Sequence, residues 1–359
     1  MILLTAAMLS TSPMVANARP RKADTKPTHP SPATTPNPDD SNSTPTAKDE
    51  PAKKVGDDGV SATLPPPPGS AVTKGGGRLL YLEIDSDLVR PRTHRHPARQ
   101  VVVYTPAGYD APEHARERYP VLYLLHGAPG YPTDFIEYGD WPALSEKASV
   151  ETGAVAPIMV MPDGNYTGEK HGDSEWANSA DGRDRFEDFI VQEIVPFTDR
   201  RFRTIQTSSG RMIGGVSEGG YGCVNLALHH PDLFGGAIAL SGYFDNGGFG
   251  WARKVLGHDG EHLRSNNPLG YLDTGLPSGE GPREWRSVRF FLGVGANEKR
   301  YTSETVRLAD KLKSIGAPTT LRMQEGKHGW ELWNQLYFDG IKSMLTPQRA
   351  GIAEKEPQP

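Results

Sequence analysis

Apolar residues along this chain come in short, dense runs separated by polar stretches. YPVLYLLHG (119–127), APIMVMPDG (156–164), RMIGGVS (211–217), GGAIALSG (235–242), VRFFLGVG (288–295) and TTLRMQEG (319–326) lack strict in-out alternation. Such runs suit strands covered on both faces of a parallel sheet. LLYLEIDS (79–86) and QVVVYTP (100–106), joined by a polar connection, predict an earlier antiparallel pair. Between the runs lie segments of helical period. RDRFEDFIVQEIVPFTDRRF (183–202) spaces Phe186, Phe189, Ile190, Ile194 and Phe197 on one face, and TSETVRLADKLKSIG (302–316) does the same with Val306, Leu308, Leu312 and Ile315 before the stop signal Gly316. Strands alternating with helices predict an α/β fold with a mostly parallel central sheet flanked by helices. In such sheets reactive groups collect at the carboxyl ends of the strands.

The pattern is missing from the first part of the chain, where Pro, Thr, Ser, Ala and charged residues dominate. A stretch of that composition cannot bury enough apolar surface to offset its ordering entropy, so residues 19–76 are expected to form a disordered linker. Residues 77–346 suit one domain, followed by a flexible tail at 347–359. Residues 1–18 hold an apolar stretch too short to span a bilayer, ending in Ala16-Asn17-Ala18, a small-x-small cleavage pattern. No Lys or Arg precedes it, so the segment reads as an incomplete signal peptide, a mis-assigned start or the tail of a longer membrane segment. The expectation is a secreted or envelope-associated protein, with a cytoplasmic protein bearing a loose arm as the alternative. The net charge of −5 argues against a nucleic-acid binder. The lone Cys223 excludes an internal disulfide and a multi-cysteine metal site, and reads as a buried apolar residue.

Gly215-Val216-Ser217-Glu218-Gly219 matches G-x-S-x-G, a weak signal alone in a chain with 40 glycines. Its setting strengthens it: a buried-strand run precedes it and the helix-like YGCVNLALHHP follows, the strand-turn-helix context of a nucleophile elbow. Gly215 and Gly219 would let the chain pass close to itself on either side of the serine. Ser217 needs a base. His328, in a loop between the last strand run and the last helical segment, is the first candidate. The acid that would orient it is expected to be Glu298, after VRFFLGVG, with Asp245, one strand earlier, as its rival. An oxyanion would be met by the backbone N–H of Glu218, at a helix start, and by that of Ala128, with Gly127 second because Pro129 has no N–H. His126 reads as a loop anchor. The polar segment 164–183 could border a substrate pocket with Tyr166 and Trp176 as walls, or be an ordinary surface loop.

LLHGAPG, VMPDGN, RFEDFIVQEIVPFTDRRFRT, GGVSEGGYG with LALHHPDLFGGAIALSGYF, and KHGWELW together resemble the putative-esterase family of α/β-hydrolases. That family includes S-formylglutathione hydrolase, feruloyl esterases and the secreted mycolyltransferases of mycobacteria. The resemblance covers roughly residues 79–345. It implies an α/β-hydrolase fold and serine ester hydrolysis without a metal or organic cofactor, with the nucleophile on Ser217, histidine on His328, acid on Glu298 and oxyanion amides on Ala128 and Glu218. The chain departs from the family at Glu218, where Met or Leu is common, and in an acid loop reading GANEK. The substrate implied is a small-molecule, cell-wall or lipid ester. Transfer of the acyl group to a sugar or alcohol is the alternative reaction, and a non-catalytic binding protein on the same fold is the alternative of another class.

Overall fold

The apolar runs form the strands of one nine-stranded sheet: β1 (Ala71–Val72), β2 (Arg78–Ile84), β3 (Arg99–Thr105), β4 (Val121–Leu125), β5 (Ile158–Pro162), β6 (Arg211–Val216), β7 (Gly236–Leu240), β8 (Arg289–Gly295) and β9 (Thr319–Gln324). A computed structural model describes residues 71–345 apart from 74, 90–97, 166–173, 247–249, 251, 259, 277 and 280. The chain divides into the units Met1–Ala62 and Thr63–Pro359, and all described residues belong to the second. The expected signal segment, the tail and most of the linker lie outside the described residues. The sheet begins slightly before the expected boundary at Gly77, because β1 pairs antiparallel with β2, Ala71 opposite Leu79. An extended dipeptide can satisfy the open backbone groups of a sheet edge whatever its hydropathy.

The spatial order is β1-β2-β3-β5-β4-β6-β7-β8-β9. β2 and β3 are antiparallel, β3 and β5 likewise, and every pair from β5 to β9 is parallel. From β4 the chain steps first to β5 on one side, then to β6 on the other. That reversal opens a crevice at the carboxyl ends of β4 and β6, where ligands bind in folds of this kind.

The helices are α1 (Asp134–Glu137), α2 (Trp141–Thr152), α3 (Phe186–Asp188), α4 (Val195–Arg201), α5 (Glu218–His229), α6 (Ala252–Leu256), α7 (Glu261–Ser265), α8 (Pro268–Thr274), α9 (Pro282–Trp285), α10 (Arg300–Ser314) and α11 (Trp330–Met344). Successive strand residues point to opposite faces, so each face has its own core. On one, Val103, Tyr123, Ile213 and Leu292 pack against Phe186, Val224 and Leu308 of α3, α5 and α10. On the other, Val102, Leu124, Ile238 and Phe291 pack against Trp141, Leu336 and Ile341 of α2 and α11.

Two expectations are corrected. The helix expected over 183–202 is not uniform: α3 passes into a π-turn segment, Phe189–Ile194, in which Val195 N–H reaches back to Ile190 O, and only then into α4. Pro196 has no N–H for the preceding turn and its ring crowds the carbonyl four residues back, so the turn widens. TTLRMQEG is not covered on both faces. β9 pairs only with β8 and has no fully buried residue: Thr319, Leu321 and Gln324 are half-buried, and Thr320, Arg322 and Met323 are exposed. Its place at the edge exposes it.

Candidate active site

β6 ends at Val216 and α5 begins at Glu218, leaving Ser217 alone at the corner with φ 55° and ψ −116°. A non-glycine residue in that region stores about 1–3 kcal/mol of strain and persists only where its surroundings over-determine it. Here Ser217 N–H donates to Leu240 O at 2.8 Å, and Ser217 O accepts the Tyr221 N–H at 3.1 Å. The flanking glycines have a steric reason. A Cβ on Gly215 would stand 2.6 Å from the Leu125 carbonyl oxygen, and one on Gly219 would stand 2.7 Å from that of His126. Because Leu125 pairs with Gly215 in the sheet, the loop after β4 starts beside the serine.

Two further strand ends bring the partners. Glu298 lies in the turn between β8 and α10, and His328 just before α11. His328 Nε2 is 3.0 Å from Ser217 Oγ, and His328 Nδ1 is 2.7 Å from Glu298 Oε1. A carboxylate only accepts, so Nδ1 carries the ring proton and Nε2 presents its lone pair to the Ser217 hydroxyl. The ring and its carboxylate partner differ in solvation: the Glu298 side chain is 2% exposed and that of His328 32%. Glu298 Oε2 accepts the Ser241 hydroxyl at 2.8 Å and the Gly295 N–H, while Ser241 Oγ accepts the Trp333 indole N–H at 3.0 Å. The His328 ring lies against Tyr301, with centroids 4.5 Å apart, and meets Trp333 edge-on at 4.9 Å. Burial, and next to it the Glu298 charge, push the Tyr301 phenol up.

Ser217, His328 and Glu298 are thus brought together, and Asp245 is not among them. Its partners are Arg307, 3.9 Å away, and the Asn267 amide, which donates at 3.3 Å. The sheet decides between the two carboxylates: the loop after β8, not that after β7, carries the one that reaches His328, so the rival Asp245 is set aside and Glu298 takes the place expected of it. Gly127 and Ala128 follow β4, and a Cβ on Gly127 would stand 3.1 Å from Ser217 Cβ. His126 is buried and uses both ring nitrogens, Nδ1 donating to Gly127 O at 2.9 Å and Nε2 accepting the Gly164 N–H at 3.0 Å. It anchors the loop. Glu218 opens α5, so its N–H lies at the positive end of a helix dipole. Trp176 is no pocket wall: it is fully buried, edge-on to His126 and Phe186. Tyr166 lies outside the described residues.

Sequence reasoning missed Ser241, Trp333 and Tyr301. Ser241 offered one usable signal, a polar residue immediately after a buried strand. Among the described residues no group of three or more His, Cys, Asp or Glu side chains could hold a metal ion.

The chain is 28% identical over 266 residues to the esterase Rv1288 of Mycobacterium tuberculosis, an alignment covering 66% of this chain and 54% of that protein. The chain therefore spans about half the length of that relative. It is 26% identical over 243 residues to an acetyl esterase of Caldicellulosiruptor saccharolyticus, covering 64% of this chain and 84% of that one. Among solved structures a ferulic acid esterase superimposes with a TM-score of 0.63 at 20% identity, over 75% of this chain and 98% of its own, which shows a common fold. The family model described as Putative esterase matches residues 96–343, a span that takes in all three hydrogen-bonded side chains. On that match, and with the sheet order and strand-end loops described above, the chain belongs to the esterase family of α/β-hydrolases.

Proposed function

We propose that the protein is a carboxylic ester hydrolase working through an acyl-enzyme on Ser217. The observation that carries this reading is the unbroken hydrogen-bonded chain from Ser217 Oγ through His328 to Glu298. His328 Nε2 takes the hydroxyl proton as Oγ attacks the ester carbonyl, and Glu298 stabilises the resulting imidazolium. The tetrahedral oxyanion is met by the N–H groups of Glu218 and Ala128. His328 then returns the proton to the departing alkoxide, leaving an acyl group on Oγ. Water, deprotonated by the same Nε2, attacks that acyl group and releases the acid and the free serine. The acetyl and ferulic acid esterases it resembles are named for compact acyl groups, which supports small or medium acyl chains as substrates.

A fluorophosphonate probe should label Ser217, and p-nitrophenyl esters should be cleaved fastest at short chain length. Failure of folded protein to react with the probe, together with no ester cleavage, would favour a binding protein on this fold. Adding a competing alcohol separates water from other acceptors: a product partition that follows the alcohol would convert the reading to acyl transfer.

A further inference from the structure

Glu218 directly follows the nucleophile, and its carboxylate is turned inward. Its Oε1 accepts the backbone N–H of Glu175 at 2.6 Å. Glu175 in turn accepts the Tyr243 hydroxyl through Oε2, and Tyr243 stacks on Tyr221 of α5 at 5.3 Å with 12° between the planes. The next residue, Trp176, donates its indole N–H to the His126 carbonyl at 3.0 Å, one residue ahead of Gly127-Ala128. Its ring sits where two glycines leave room. A Cβ on Gly222 of α5 would stand 2.6 Å from the Trp176 Cβ, and one on Gly164 would run into the indole. Glu175 and Trp176 are both left-handed, with φ of 54° and 50°, although neither is glycine. Two successive residues of that kind persist only where contacts on all sides hold them, and such strain collects at functional sites.

We infer that residues 174–177 form a strap that sets the spacing of the two oxyanion amides, with the Glu218 carboxylate and the Trp176 indole as its positioning residues. At one end the strap is bonded to the first residue of α5, whose N–H is one oxyanion donor. At the other it holds the carbonyl of His126, at the root of the loop that supplies the second. Both donors must lie about 2.7–3.1 Å from an oxygen that carries charge only in the transition state. A small relative displacement of α5 and the loop after β4 therefore lowers kcat and leaves substrate binding nearly unchanged. This inference rests on the ester-hydrolase reading above.

The test is steady-state kinetics on a short p-nitrophenyl ester, with full pH profiles, for wild type, Glu218→Met, Glu218→Gln and Trp176→Phe. Glu218→Met keeps the length of the side chain but cannot accept the Glu175 N–H; kcat should fall about 10- to 100-fold with KM within about threefold of wild type. Glu218→Met and Glu218→Gln both remove the carboxylate, so any change in the pH profile of kcat/KM should be common to the two, whereas the loss of kcat should not be. The amide oxygen of Glu218→Gln still accepts, so this variant should recover most of the loss. Trp176→Phe removes the indole N–H and should lower kcat about 10-fold. If Glu218→Met fails to fold, the two milder variants decide. A folded Glu218→Met with wild-type kcat, or a Glu218→Gln as slow as Glu218→Met, overturns the strap. Wild-type protein that neither cleaves esters nor reacts with the fluorophosphonate instead overturns the hydrolase reading, and the strap with it.

Discussion

Replacing Glu298 by Gln tests the proposed chemistry most sharply, because the surroundings dictate how the new amide must sit. Glu298 Oε2 receives two hydrogen bonds, from Ser241 Oγ and Gly295 N–H. Only the amide oxygen can take that place, so the Gln NH2 is driven to the position of Oε1, 2.7 Å from His328 Nδ1. An N–H pointing at Nδ1 forces the ring proton onto Nε2, and the lone pair that faced Ser217 is gone. The imidazolium of the transition state also loses its counter-charge. At an effective dielectric of about 20 and about 4 Å between charge centres that attraction is worth about 4 kcal/mol. At 1.36 kcal/mol per tenfold, the charge alone accounts for about 10³ in kcat/KM. The tautomer brings the total to about 10³–10⁴. Glu298→Ala loses the charge but imposes no tautomer, so it should be no slower than Glu298→Gln. The assay is p-nitrophenyl acetate hydrolysis at neutral pH, with melting temperature as the control for folding. A folded Glu298→Gln retaining a tenth of wild-type kcat/KM would refute the reasoning, as would a Glu298→Ala markedly slower than it.

Two more outcomes follow from groups away from the reacting atoms. Burial alone would raise the Glu187 carboxyl, but His229 at 2.9 Å and His230 at 2.8 Å outweigh it and hold it well below the usual carboxylate range. A depressed folded pKa means stability that is fully present above the unfolded value of about 4.3 and drains away as pH falls toward the folded one. Wild type should thus lose melting temperature steeply below about pH 4.5 and Glu187→Gln less so; parallel slopes would remove Glu187 from the account. The Cys223 thiol is buried and pushed up by that burial, so a disulfide reagent should modify it only in denaturant, and Cys223→Ala should keep wild-type kcat. Rapid reaction of the native thiol would contradict its placement in the core.

What could be read from the sequence was what local sterics determine. The glycines around Ser217, the apolar run before it and the helical stretch after it are neighbours in the chain, and the corner they make needs no distant partner. Glu298 was legible by a positional rule, a carboxylate just past a strand's end, which Asp245 also satisfies, so only the packing of the strand-end loops separates the two. Ser241 and Trp333, which together hold Glu298, are 92 residues apart and meet only because β7 and α11 pack together. Trp176 was misjudged for a related reason: an aromatic in a Gly- and Asp-rich stretch looks exposed, and nothing nearby in the chain tells that Gly164 and Gly222 leave space for it. The exposure of β9 likewise depends on its being last in the sheet, which its own residues do not record.

The bond between His328 and Ser217 joins positions 111 residues apart, and that between His328 and Glu298 spans another 30. β8, α10, β9 and the start of α11 must all be in place before the base reaches the nucleophile. A growing chain that has already closed the corner at Ser217 thus carries an inert hydroxyl until nearly its last element docks. On the proposed chemistry, reactivity is an all-or-none property of the finished sheet: a protein cut after β7, or one whose C-terminal third has come loose, keeps its serine and is chemically silent.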